Sequence, residues 1–155
     1  MNIISLQPPH DLSHDKNWAK QVASTEKVLE ALRAKPGTPE VESSINQLVE
    51  ALNAHESSPA DWVKAMRRAR NQILQYVLKH LKLVPRNYYR TLWTPLGMSA
   101  IGLPIGVAMG AALGNMAFLG IGLPIGLSLG MILGGNMDKK AAAEGRQLDV
   151  EVGGR

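Results

Sequence analysis

Apolar positions recur with helical spacing through the first half of the chain, then merge into one long uncharged run. Trp18, Val22, Thr25, Leu29 and Leu32 are separated by four, three, four and three residues, which predicts a helix from about Asp15 to Ala34 that Pro36-Gly37 ends. Thr38 then offers an N-cap with Pro39 at the first helical position, and Glu40 and Glu42 suit the positive end of the helix dipole. Val41, Ile45, Leu48 and Leu52 give this second helix one apolar face. Ser57-Ser58-Pro59 breaks the chain again, and Ser58 with Asp61 resembles a capping box. A third helix, from about Pro59 to Leu83, turns Trp62, Met66, Ala69, Ile73, Tyr76 or Val77, and Leu81 inward. Three amphipathic helices with short connections predict a small antiparallel bundle.

From Thr91 to Met137 there are 47 consecutive residues without Asp, Glu, Lys or Arg, and eleven of the fifteen glycines fall there. A mean hydropathy of −0.07 hides this split. Inside the run, Ile101-Gly102-Leu103-Pro104-Ile105-Gly106 recurs twenty residues later as Ile121-Gly122-Leu123-Pro124-Ile125-Gly126. Gly110 answers to Gly130 and Gly114 to Gly134, so each copy carries four glycines spaced by four. That spacing sets them along one side of a helix. In water each would cost about 1 kcal/mol relative to alanine. In a bilayer helix is enforced, and a glycine face lets two backbones approach closely.

One helix of this length would be roughly 70 Å long against a hydrocarbon core of about 30 Å. Two spans are therefore expected, about Pro95–Gly114 and Leu119–Met137, joined by a turn at Asn115-Met116-Ala117-Phe118. Thr94-Pro95 reads as cap and first helical residue. Pro104 should kink the first span by crowding the carbonyl of Ala100. The glycine faces at Gly106, Gly110, Gly126 and Gly130 are expected to bring helices together and to promote self-association.

Charge sharpens the division. Residues 1–57 carry five basic and eight acidic residues, whereas residues 58–90 carry eight basic residues against Asp61. Lys64, Arg67, Arg68, Lys79, Lys82, Arg86 and Arg90 are candidate contacts to lipid headgroups, each worth on the order of 1 kcal/mol close to an anionic surface. The alternative is a solvated bundle face. Nucleic acid is not expected, because the basic run lacks interleaved aromatics. Tyr88, Tyr89 and Trp93 stand where interfacial aromatics would. Basic residues flank the apolar run on both sides and its turn has none, which places both ends in the cytosol.

Catalytic chemistry is not apparent. Cysteine is absent, no Gly-Lys-Ser/Thr phosphate loop occurs, and His10 and His14, spaced i,i+4, have no evident third ligand. No enzyme, cofactor or metal is expected.

The double glycine block, with Gly-Asn-Met near the end of each copy (Gly114-Asn115-Met116 and Gly135-Asn136-Met137), resembles the glycine-zipper segments of small bacterial membrane proteins over residues 95–140. The resemblance implies a homo-oligomer in the cytoplasmic (inner) membrane, with pore formation or membrane disruption as its more specific form. A non-pore anchor or scaffold for a protein complex is the alternative, with a protein partner engaged through residues 15–85. A buried glycine-rich pair within a soluble protein is a third reading. The expected architecture is all-α: a flexible lead (1–14), a three-helix soluble cytosolic domain with a basic third helix (15–90), a two-helix glycine-zipper transmembrane hairpin (91–137) and a polar tail (138–155).

Overall fold

The computed structural model describes residues 1–8, 16–55 and 58–151. The chain is mostly helical and divides into two compact units, Met1–Val84 with Leu148–Arg155, and Pro85–Gln147. The chain passes between them at β1 (Val84–Pro85) and β2 (Gln147–Leu148), which pair as a two-stranded sheet.

The first unit contains α1 (Lys16–Arg33), α2 (Pro39–Asn53) and α3 (Pro59–Leu81). Their apolar stripes converge: Val28, Leu29 and Leu32 of α1, Val41, Ile45 and Val49 of α2, and Trp62, Met66, Ile73 and Val77 of α3 are buried. The Trp62 indole donates Nε1–H to the Leu52 carbonyl at 3.3 Å, so the largest core side chain is also polar-satisfied. Caps follow the sequence in part. Ser58 Oγ accepts from the Asp61 amide (3.3 Å) and donates to its carboxylate (2.7 Å). Thr38 flanks α2 with extended backbone but makes no side-chain cap bond, and Pro39 supplies the start. Helix α3 stops two residues earlier than expected, at Lys82, whose φ of 55° closes a left-handed C-cap.

The lead is not a loose segment over residues 1–8. Ile3 and Leu6 are buried in the bundle core. Two asparagines of α2 clamp the extended backbone in the same way: Asn46 bonds Ile4 N–H and the Asn2 carbonyl, and Asn53 bonds Gln7 N–H and the Ser5 carbonyl, all at 2.8–3.0 Å. Each side-chain amide offers one acceptor and one donor, as a neighbouring strand would. At the other end of the chain Leu148 and Val150, expected in a polar tail, are buried in this same core.

The second unit holds α4 (Tyr88–Gly97), a wide π-type turn (Met98–Gly102), α5 (Leu103–Leu113), a 3-10 turn (Met116–Phe118) and α6 (Leu119–Ala143). Helix runs without a break from Tyr88 to Leu113, and again from Met116 to Ala143; both stretches are long and apolar enough to cross a membrane. The helical path therefore starts seven residues before Pro95, which lies inside α4 and is not its first residue. The disturbance expected at Pro104 is taken up by the wide turn before it, where Leu103 N–H donates to the Met98 carbonyl five residues back.

Candidate functional site

The backbones of the second unit meet along its glycines. On α6, the buried row is Gly122, Gly126, Gly130, Gly134 and then Asp138 and Ala141. A Cβ built on Gly122 would lie 2.6 Å from Gly106 Cα, and one on Gly126 2.5 Å from Gly102 Cα. Gly130 faces Trp93, with the Trp93 carbonyl carbon 2.9 Å from the position of a Cβ, and Gly134 faces Arg90 Cα at 2.5 Å. Gly102 and Gly106 answer from the other side, at 2.7 Å from the Gly122 carbonyl oxygen and 2.9 Å from Leu119 Cα. Numbers rise along one helix as they fall along the other, so the two run antiparallel. No side chain fits between them at these positions, and dispersion and Cα–H···O contacts replace side-chain packing.

Two of the eight expected packing glycines do other work. Gly114 has nothing within 4 Å of a Cβ and a φ of 66°; it terminates α5 through a left-handed C-cap. Gly110 packs on the turn, 3.2 Å from Met116 Sδ and 3.4 Å from the Asn115 carbonyl oxygen, at ordinary to slightly tight distances. Conversely Gly97, outside the repeat, lies 2.7 Å from Gly130 Cα by the same measure and belongs to the packed face.

Asp138 is a buried carboxylate that the sequence pattern alone did not single out. It occupies the next four-residue step after Gly134 and is buried, 7% exposed. Its two carboxylate oxygens accept from the amides of Tyr89 (3.0 Å) and Arg90 (2.9 Å). Those are first-turn N–H groups of α4, whose own N-cap, Asn87, makes no side-chain cap bond. A carboxylate on α6 thus caps another helix and meets the positive end of its dipole. The signal was available: the row of four-spaced glycines points straight at it.

Around that cap, Tyr88 and Tyr89 pack edge to face with centroids 5.2 Å apart. Arg146 bonds Glu144 (2.7 Å from Nε to Oε2) and Tyr89, which together hold its guanidinium above its usual range. Trp93 is half-buried, its backbone against Gly130. The outer surfaces of both helices are apolar: Leu92, Leu96, Leu103, Val107 and Leu113 on one, Ile121, Ile125, Leu129, Ile132 and Leu133 on the other, are exposed. The hydroxyls among them are self-satisfied, Thr94, Ser99 and Ser128 donating to the carbonyls of Arg90, Pro95 and Pro124 one turn back at 2.7–2.9 Å.

The basic residues of α3 lie in the first unit. Lys64, Arg67, Arg68 and Lys79 are exposed on the face opposite the core, and Lys82 is exposed at the C-cap. Lys64 pairs with Asp61 at 3.1 Å. Arg86 and Arg90, also exposed, belong to the second unit. Among the described residues no group of three His, Asp or Glu side chains could hold a metal; His10 and His14 lie outside the described residues. His80 stacks on Tyr76 with centroids 4.2 Å apart. Comparison with family models, curated proteins and solved structures finds no match to this chain.

Proposed function

We propose that Tyr88–Ala143 is a glycine-zipper transmembrane hairpin and that it anchors the helical module of residues 1–84 at the cytosolic face of the inner membrane, as a scaffold rather than a pore. The observation that carries this is the division of surfaces on the two long helices. Their glycine faces are spent on each other, and between Thr91 and Met137 their outer faces are a belt rich in Leu, Ile, Val and Met with no charge. A helix pair with that exterior suits hydrocarbon, whereas in water it would be an apolar patch far larger than monomers tolerate. At 26 and 28 residues, the two paths are roughly 39 and 42 Å long, enough for the core and both headgroup regions.

Two features favour the anchor. A pore assembled from copies of this pair would need a polar stripe to face water. The hydroxyls of Thr94, Ser99 and Ser128 are bound to their own backbones. The close-packing glycines are engaged within the chain, so association between copies would have to use the outer side chains. Basic residues at both cytosolic ends, Arg86 and Arg90 before the hairpin and Lys139 and Lys140 at its exit, support the orientation.

The test is fractionation combined with leakage. The full chain should remain in the membrane pellet through high salt, and a version with residues 86–146 replaced by a short Gly/Ser linker should be released. Liposomes containing the full chain should retain a trapped dye. A clean soluble monomer of the full chain would overturn membrane residence, and dye release at low protein density would overturn the anchor in favour of the pore.

A further inference from the structure

Met131, Gly135 and Lys139 follow one another at four-residue steps on α6 and so share a side of that helix, beside the row that packs on α4. Gly135 differs from the glycines of that row. A Cβ on it would meet nothing within 4 Å, and its φ is not positive, so neither close approach nor backbone conformation calls for glycine there. Glycine is among the poorest helix formers, and alanine would serve the helix better. What the missing side chain leaves is space. An open depression of about 270 Å³ is lined by Gly135, Arg90 of α4, Lys139, and the amide residues Asn87 and Gln147, all within the second unit.

Neither cation at this depression has a counter-charge. Arg90 crosses to α6, where its Nη2 lies 3.8 Å from the Met131 thioether, a weak acceptor, and no carboxylate pairs with its guanidinium among the described residues. The Lys139 ammonium has neither a hydrogen bond nor an ion pair among the described residues. Met131 and Lys139 stand to either side of Gly135, each about 6 Å away along the helix axis. An anion seated on Gly135 is therefore flanked by the Arg90 guanidinium on one side and by Lys139 on the other. Asp138 also lines the depression, but its two oxygens already accept the amides of Tyr89 and Arg90. Two cations against one engaged carboxylate leave the depression positive.

We propose that this depression binds the phosphodiester of an anionic phospholipid, with Arg90 and Lys139 holding the phosphate above the bare backbone of Gly135. Under the membrane reading of Tyr88–Ala143, on which this assignment rests, Arg90 and Asp138 bound the uncharged stretch, and the depression lies at headgroup depth. One turn toward the hydrocarbon, Ile132 is 59% exposed and offers apolar surface to an acyl chain. A cationic recess continuous with an apolar flank suits a lipid better than free phosphate. A zwitterionic headgroup brings an ammonium that the same two cations repel.

The full chain in mild detergent is titrated with dioleoyl phosphatidylglycerol, phosphatidylcholine or phosphatidylethanolamine, and bound lipid is counted by native mass spectrometry. Wild type should retain one phosphatidylglycerol in preference to either zwitterionic lipid. Arg90→Gln and Lys139→Gln should each weaken that retention about fivefold, the effect of one cation near an anionic headgroup. Lys140→Gln removes the same charge one residue away, outside the depression, and should leave retention unchanged. Gly135→Leu keeps every charge but fills the recess; it should abolish the preference while helicity persists. Should Gly135→Leu fail to fold, Lys139→Gln against Lys140→Gln decides. Equal losses in those two variants would show a diffuse basic field and overturn the site, as would equal retention of the zwitterionic lipids or a folded Gly135→Leu chain that binds like wild type. Displacement of phosphatidylglycerol by inorganic phosphate at matched ionic strength would overturn the lipid assignment. Fractionation of the same proteins separates site from anchor: a chain that stays in the pellet without lipid preference refutes the site alone, whereas release of wild type refutes the anchor.

Discussion

Substituting Gly126 by alanine isolates the close approach of the two long helices. The new Cβ would sit 2.5 Å from Gly102 Cα and closer still to Gly102 N and the Gly97 carbonyl oxygen. Carbon pairs prefer about 3.5–4.0 Å, so the backbones must part locally by roughly 1 Å. A gap of that size forfeits a quarter to a half of each neighbouring contact of about 0.1–0.2 kcal/mol. Over a few tens of atom pairs the loss is on the order of 1–2 kcal/mol, in line with the roughly 1–3 kcal/mol typical of overpacking. Backbone atoms, unlike a side-chain tip, have no rotamer by which to retreat. Gly135 is the internal control: it lies on the same helix with nothing within 4 Å of its Cβ, so alanine there should be neutral or stabilising. Reversible unfolding in mixed micelles of increasing SDS fraction, followed by circular dichroism, reads the difference. Light scattering of the same samples gives the mass. Gly126→Ala should unfold at lower SDS than both wild type and Gly135→Ala with no change in mass. Indistinguishable curves for the two variants would refute the intrachain packing. A fall in mass with unaltered unfolding would mean that the glycines join separate copies.

Two further outcomes follow from the caps. Asp138→Ala leaves the amides of Tyr89 and Arg90 without their acceptors; bonds to a charged group are worth about 1.5–3 kcal/mol, so hydrogen exchange at those two amides should accelerate at least roughly tenfold, and unchanged rates would show the cap to be dispensable. At the start of α3, the Ser58 hydroxyl first and Lys64 second hold the Asp61 carboxyl below its usual range. Because the folded value is depressed, this group's stabilisation is present at neutral pH and is lost as pH falls through the lowered value. Ser58→Ala should shift the Asp61 titration upward in a carboxyl-detected NMR experiment, and an unmoved midpoint would mean that Ser58 does not set it.

The bundle was legible because burial in it follows helical period. Trp62, Met66, Ala69 and Ile73 stand out in the sequence as one face and are buried together. What period cannot report is partnership across the chain. Ile3 and Leu6 are separated in sequence by the whole of α1 from Asn46 and Asn53, whose amides clamp the segment they belong to, and a two-residue apolar signal in an extended stretch has no helical period to betray it. Leu148 and Val150 were hidden in the same way among Asp149 and Glu151, where a strand-like alternation is too short to register. Arg70 was masked differently: it counts toward the basic charge of residues 58–90, but nothing in the sequence says that, unlike the exposed Arg67 and Arg68, it turns toward α1. Residues three apart on a helix differ by about 60° around its axis once whole turns are removed, and here that angle separates a solvated cation from a buried one.

The period-twenty repeat misleads in an instructive way. Identical sequences suggest identical roles, yet an antiparallel pair cannot use two copies alike. The turn at Asn115–Phe118 fixes the register, so glycines near the end of the first copy, Gly110 and Gly114, are brought to the turn itself, where one meets Met116 and the other ends the helix. Their counterparts in the second copy, Gly130 and Gly134, are carried past the start of the first copy and pack on Trp93, Tyr89 and Arg90. Gly130 still meets one glycine of the facing helix, Gly97, but opposite Gly134 there is none, and α6 alone supplies the space; the approach survives because a backbone on one side with a glycine on the other is still close enough for van der Waals contact. Beyond Gly134 the row ends on Asp138, at the depth where α4 begins and its unbonded amides need an acceptor. One four-residue spacing thus gives close packing within the apolar zone and a helix cap at its edge, and the change from glycine to aspartate along that row marks where backbone N–H groups stop being satisfied by their own helix.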